Sequence, residues 1–326
     1  MASNFSFFND LCSRFRQHFE GQKSIPEGPT SNCKSQITRL KGLGEEELIE
    51  NFSKVVSTFP PSVVERGINR NWNLYLFLLE TLAPFWGLVP RNAKVCDIGS
   101  GAAILPLTMA KVGFRVSLID RWSEYASQFD NQMGNTDDFF SRFKKFGASY
   151  YNCELLSESI PLPDESQDLV SAFSVLEHLP RPRVLLDEAW RLLKPGGLVV
   201  ILLPNTANLR NRVRLLFGRS PHPHEWKDFY GNTFFGHYRE LTRKELRDIF
   251  EHEGYEILLL RASNSSQTNT KCADGKWQRG WKPRSLSQLI RGLYLLIVAL
   301  HPSLRYDLLL VARKPEMRGN LRRDKS

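Results

Sequence analysis

Asp97, Gly99 and Gly101 fall within five positions of one another, at the end of the apolar run Lys94–Ile98, and Asp120 closes a second apolar run that begins at Arg115. Glycines at the end of a strand turn tightly and let a ligand approach the backbone, because they carry no Cβ. An acid about 20 residues further on can accept hydrogen bonds from ribose hydroxyls. A dinucleotide fingerprint would need a third glycine at position 104, where this chain has Ile104. The carboxylate of Asp97 would repel a pyrophosphate and suits a cation. The combination points to a nucleoside cofactor with a positive centre and no phosphates.

These residues need elements to hold them. Lys94–Ile98 and Arg115–Ile119 read as strands, joined by the glycine turn and a helix near Ala103–Val112 that Gly113 stops. Ala148–Asn152 and Asp168–Phe173 read as third and fourth strands, with a long polar crossover over 121–147. A helix near Pro182–Leu193 meets the breaker Lys194–Gly197, and the continuously apolar Leu198–Leu203 follows as a buried parallel strand. Leu241–His252 reads as a helix, with Thr242 and Glu245 spaced as a capping box. Tyr255–Arg261 and Tyr306–Arg313 are the last two strands, separated by an insertion over 262–305 that holds a loop and an apolar helix at Leu286–Leu300. Before the first strand, Asn71–Leu88 has helical spacing, and Glu45–Ser57 is a helix within a polar, proline-broken extension over 1–65. The alternation of strands and helices predicts an α/β, doubly wound sheet with helices on both faces.

Four segments, in order, resemble one family. They read VCDIGSG at 95–101, IPLPDESQDLV at 160–170, SVLEHLP at 174–180 and EAWRLLKPGGLVVILLPN at 188–205. The pattern is similar to that of class I S-adenosylmethionine-dependent methyltransferases over about 70–260, with Ala103 standing where many members have a third glycine. The resemblance implies a mostly parallel seven-stranded sheet with an antiparallel pair at its edge, a methyltransferase domain over 66–313 and a basic tail over 314–326. It implies S-adenosyl-L-methionine as cofactor. Asp97, Gly99 and Gly101 would hold its methionine end, and Asp120 its ribose. Glu154 would accept from the adenine amino group, and Ser174 would touch the amino-acid end through its backbone.

His178 lies just past the fourth strand, where an imidazole could take a proton from an acceptor. It could equally shape the loop. The segment 205–240 lies where a lid over the substrate belongs, and it is rich in Arg, His, Pro and aromatic residues. Within it His224, Trp226, Tyr230, His237 and Arg239 are candidates for the substrate pocket, with His237 a second candidate base and Arg239 an anion holder or the partner of a nearby acid. His222 and His224 are one residue apart with no third ligand in sequence, and the five cysteines are scattered, so no metal site is expected.

The charge is uneven. The chain carries +9, and residues from Pro204 onward hold 23 basic against 12 acidic side chains. That asymmetry is either a solvated surface or a preference for an acidic partner. Asn208–Phe217 looks like a basic helix with an apolar face, able to line a cleft for an anionic substrate or to lie on a membrane. No apolar run approaches the roughly 20 residues of a bilayer span, and Met1–Phe8 lacks the charged and apolar regions of a secretory signal. The expected location is a reducing cytoplasm, with peripheral contact at the inner membrane face. The pattern resembles methyltransferases acting on small molecules, glycans or lipid-linked intermediates, most simply at a hydroxyl oxygen. Methylation of RNA is an alternative supported only by the basic half, and no appended RNA-binding module is recognisable. A non-catalytic interaction protein is the other alternative, opposed by the intact Asp97, Gly99, Gly101 and Asp120.

Overall fold

The computed structural model describes residues 45–59, 92–122, 136–221, 236–263 and 301–316, with separate positions between 74 and 85 and between 293 and 300. In chain order the elements are α1 (Glu45–Val56), β1 (Lys94–Ile98), α2 (Ile104–Val112), β2 (Arg115–Asp120), α3 (Thr136–Lys145), β3 (Ser149–Asn152), β4 (Gln167–Phe173), a 3₁₀ turn (Leu176–His178), α4 (Arg183–Leu192), β5 (Leu193–Pro204), α5 (Leu209–Leu216), α6 (Arg243–His252), β6 (Glu256–Ser263) and, after a 3₁₀ turn at Pro302–Leu304, β7 (Asp307–Arg313). The described residues between 74 and 85 are helical.

The strands form one sheet in the order β3-β2-β1-β4-β5-β7-β6. The first five are parallel, with Asp97 opposite Leu118 on one side and Ser171 on the other. The last two make the expected antiparallel pair. β7 is the reversed strand and lies between β5 and β6.

Strand alternation divides the core in two. On one face Val95, Leu169, Val200, Leu309 and Val311 pack with Phe52, Leu82, Leu107 and Phe143. On the other Cys96, Val170, Val199, Ile201 and Leu310 pack with Leu186, Leu246 and Phe250. Successive side chains of a buried strand point to opposite faces, so each strand must be apolar on both. Burial pushes the Cys96 thiol well above its usual range, which leaves it an inert core residue.

Three details depart from the sequence reading. The polar crossover contains α3, whose Phe143 is buried and stacks edge-on with Phe140. β5 begins at Leu193, the expected last residue of the preceding helix, and runs through the expected breaker: Leu193 pairs with Gln167, Gly196 takes a φ of 80° and its amide bonds to Lys314 O, so Lys194–Gly197 is a bulged strand entry. Lys314, just past the expected domain end at 313, is buried, and its ammonium donates to Trp190 O at 2.9 Å and Leu193 O at 2.7 Å. The capping box of α6 forms as read, with Glu245 N donating to Thr242 Oγ1 and Thr242 N to Glu245 Oε2. Of the expected helix at Leu286–Leu300, the described positions are helical, with Val298 buried and Leu293 and Leu300 exposed. The extension before residue 45 lies outside the described residues.

Candidate active site

In a parallel sheet ligands bind at the carboxyl ends of strands, where the strand order reverses. Here that crevice lies between β1 and β4. A cavity of about 380 Å³ opens there, lined among others by Asp97, Gly99, Gly101, Ser174, His178 and His237. Its volume is in the range of small-molecule sites.

The turn after β1 is shaped by its glycines. Gly99 has φ 70°, its amide donates to Ile119 O at 2.8 Å, and a Cβ there would sit 2.3 Å from Val175 Cγ2. Gly101 has φ 49°, its amide donates to Asp120 Oδ2 at 2.7 Å, and a Cβ there would meet nothing within 4 Å. Gly99 therefore serves packing, and Gly101 leaves open backbone toward a ligand. Ala103 also takes a left-handed φ of 55°, at the start of α2.

Asp97 is buried and accepts from Ser171 Oγ at 2.5 Å. Burial pushes its pKa up to about 7, against the pull of hydrogen bonds from Ser171 and Ser100. Burial also raises Asp120, whose Oδ1 accepts from Arg121 N while Oδ2 holds Gly101. Two acids kept from water would be stabilised in their ionised form by a cation. Among the described residues lining the cavity there is no lysine or arginine. The wall thus fits S-adenosyl-L-methionine, a cationic nucleoside without phosphates. Asp97, Gly99, Gly101 and Ser174 line the cavity, while Asp120 stands behind Gly101. Ser174 is itself left-handed at φ 54°, its amide spent on Leu202 O. Glu154 lies further along the same sheet edge, paired with Arg121 at 3.1 Å and accepting from Leu156 N.

The opposite wall comes from the 3₁₀ turn and the segment before α6. Tyr238 N and Arg239 N both donate to Glu177 O, which brings the two segments together. The rings of His178 and His237 meet edge to face, 4.7 Å between centroids. His178 Nδ1 lies 3.1 Å from Gly236 O, and His237 Nδ1 lies 2.7 Å from Glu240 Oε1. Burial lowers the His178 pKa, and the Glu240 carboxylate raises that of His237. Glu177 is 1% exposed, and burial lifts its carboxyl to about 7.

The expected substrate residues divide. His237 faces the cavity. Arg239 does not line it; it is exposed and pairs with Glu245 at 3.6 Å. His224, Trp226 and Tyr230 lie outside the described residues. Sequence reasoning missed Ser171, Glu177, Glu240, Tyr306 and Asp307. Glu177 could have been found beside His178, and Glu240 three residues after His237. Strand register brings Ser171 beside Asp97, and Tyr306 and Asp307 line the cavity where β7 begins opposite Pro204.

Comparison with known proteins decides the family. A family model described as a methyltransferase domain matches residues 71–260, more than half of the chain. The chain belongs to this methyltransferase family. Relatives of the methyltransferase include a protein of Mycolicibacterium smegmatis named as S-adenosylmethionine-dependent, 36% identical over 98 residues, 30% of this chain and 32% of that one. A ubiquinone biosynthesis O-methyltransferase of Psychrobacter cryohalolentis is 31% identical over 111 residues, 33% of this chain and 39% of that one. The chain therefore spans about a third of the length of the first relatives it matches. A methyltransferase solved in complex with the Haloferax volcanii Trm112 activator superposes with a TM-score of 0.49 at 18% identity, over 79% of this chain and 96% of that one. Class I S-adenosylmethionine-dependent methyltransferases are the group to which its motifs and sheet order assign it, and S-adenosyl-L-methionine is the corresponding cofactor.

Proposed function

We propose that the protein transfers a methyl group from S-adenosyl-L-methionine to a small-molecule, sugar or lipid-type acceptor at a hydroxyl oxygen. The observation that carries this reading is that one cavity joins the glycine turn to two imidazoles. The cofactor supplies an electrophilic methyl carbon on a sulfonium whose departure leaves a neutral thioether. The chain's own work is to place an acceptor oxygen in line, exclude water and take the proton. As the acceptor oxygen takes the methyl group, its hydroxyl proton would leave toward His178 or His237. Burial lowers the His178 pKa, which favours the neutral imidazole that can accept a proton. The ubiquinone O-methyltransferases among the relatives support an acceptor of this kind by name.

A contact with an anionic membrane face fits α5. Leu216 and Phe217 are 79% and 73% exposed at its end, beside exposed Arg210 and Arg212. No helix among the described residues is long and apolar enough to cross a membrane. The decisive experiment is transfer from methyl-labelled cofactor into fractionated cell extract. Label in a lipid, glycan or small-molecule fraction supports the proposal, and label confined to RNA refutes it. Sedimentation with phosphatidylglycerol vesicles tests the membrane contact: loss of pelleting in Leu216→Ser/Phe217→Ser is expected, and no pelleting of the unaltered chain rules it out.

A further inference from the structure

Two neighbouring side chains, Glu177 and His178, meet a third from a distant segment, His237, on the cavity wall. One ligating atom from each of Glu177, His178 and His237 lies within 4.8 Å of the others. A neutral imidazole has one N–H and one lone pair. His178 Nδ1 faces the carbonyl of Gly236 and His237 Nδ1 faces the carboxylate of Glu240, so each Nδ1 carries the hydrogen and each Nε2 keeps its lone pair. Histidines that bind metals are characteristically held this way, by a carbonyl or carboxylate on the second ring nitrogen. Glu177 adds an independent observation. Its Oε2 is buried and has no hydrogen-bond partner. A buried acceptor left unsatisfied is costly, and a cation would satisfy it.

We propose that Glu177, His178 and His237 bind a divalent transition-metal ion, with one coordination position open to the cavity. Two imidazole nitrogens and one carboxylate oxygen form the donor set of a catalytic zinc site, and magnesium prefers all-oxygen ligands. Ligand atoms within 4.8 Å of one another would have to draw in around an ion to reach bonds of roughly 2.0–2.2 Å. The role of the ion rests on the methyl transfer proposed above and changes only the proton's destination: with an ion bound, the two imidazoles hold it, and an acceptor hydroxyl entering the open position would lose its proton to water more readily than to them. The expectation of no metal came from the cysteines and the His222/His224 pair. This set escaped it because His178 and His237 belong to different segments.

The test uses the full chain, stripped with a chelator and titrated with Co²⁺ in the absence of cofactor and acceptor. One equivalent, with visible ligand-field absorption that Zn²⁺ displaces, is expected. Glu177→Gln and His237→Gln should each weaken Co²⁺ binding about a hundredfold, and Glu240→Gln about tenfold through loss of His237 orientation. Absence of stoichiometric binding by the unaltered chain, or unchanged binding in His237→Gln, overturns the proposal. If the variants unfold, the unaltered chain decides: Zn²⁺ should raise its melting temperature and Mg²⁺ should not, and equal effects overturn the site. Binding is read without turnover, so a chain that methylates but takes up no Co²⁺ refutes the metal alone. One that takes up Co²⁺ but transfers no label refutes the proposed acceptor chemistry alone.

Discussion

The Gly101 amide, in the turn after β1, donates a 2.7 Å hydrogen bond to Asp120 Oδ2 at the end of β2. One side chain thereby fixes the glycine turn, and it is the residue proposed to hold the cofactor's ribose. Asp120→Ala removes both functions. Binding of S-adenosyl-L-methionine in calorimetry should weaken about tenfold or more, the equivalent of one charge-assisted hydrogen bond. Unchanged affinity would refute the ribose assignment.

The two glycines should separate by variant. Gly99→Ala places a methyl 2.3 Å from Val175 Cγ2 at a φ of 70°. The clash and the left-handed backbone together should cost about 3 kcal/mol in denaturant unfolding. Gly101→Ala carries backbone strain alone and should cost about 1 kcal/mol, yet it fills open space facing the cavity and should impair cofactor binding more than stability. Equal stability losses would contradict the assigned roles.

Asp97 gives a pH dependence with a definite sign. Burial raises its pKa from 3.8 to about 7, so between these values the folded state holds a proton that the unfolded state has lost. Its contribution therefore favours folding at low pH and is lost as pH rises from about 4 to 7. Asp97→Asn should stabilise the cofactor-free protein at pH 8, by at most about 4 kcal/mol, while abolishing cofactor binding. In the unaltered chain, affinity for the cationic cofactor should fall as pH drops below about 7. A variant less stable at pH 8, measured by thermal melting, would show that the carboxylate is satisfied without a ligand.

Lys314 tests where the folded unit ends. Its ammonium donates to Trp190 O, Leu193 O and Glu165, 5.4 Å over the Trp190 ring. Lys314→Met should destabilise by about 2–3 kcal/mol, because buried carbonyls lose their donor. A loss below about 0.5 kcal/mol, the usual surface value, would show that water replaces the ammonium.

Most of the sheet was legible because its central strands β1, β4 and β5 are apolar on both faces and β1 runs into a glycine turn. The cavity wall proposed to hold the cofactor was legible from Asp97, Gly99, Gly101 and Ser174, which sit at or just past strand ends and line the cavity. α3 was not, since its few apolar residues lie in a polar stretch and only packing of Phe140 and Phe143 reveals their face. The Lys194–Gly197 entry to β5 was not, since its pairing is supplied by Gln167 and Lys314 from elsewhere in the chain. The acceptor wall was read only in part. His178 and His237 were each visible, but their meeting depends on Tyr238 and Arg239 amides reaching Glu177 O, a tertiary contact without sequence periodicity.

The position of β7 bears on how the protein is made. This last strand inserts between β5 and β6, and Tyr306 and Asp307 at its start line the cavity. Until it arrives, β5 and β6 both present unpaired edges, and docking it onto β5 closes a loop of about 100 residues, a slow, entropically costly step. A nascent chain could therefore complete its cofactor turn well before the pocket is walled on that side. The exposed strand edges of that intermediate are the place where misassembly with a second chain would begin.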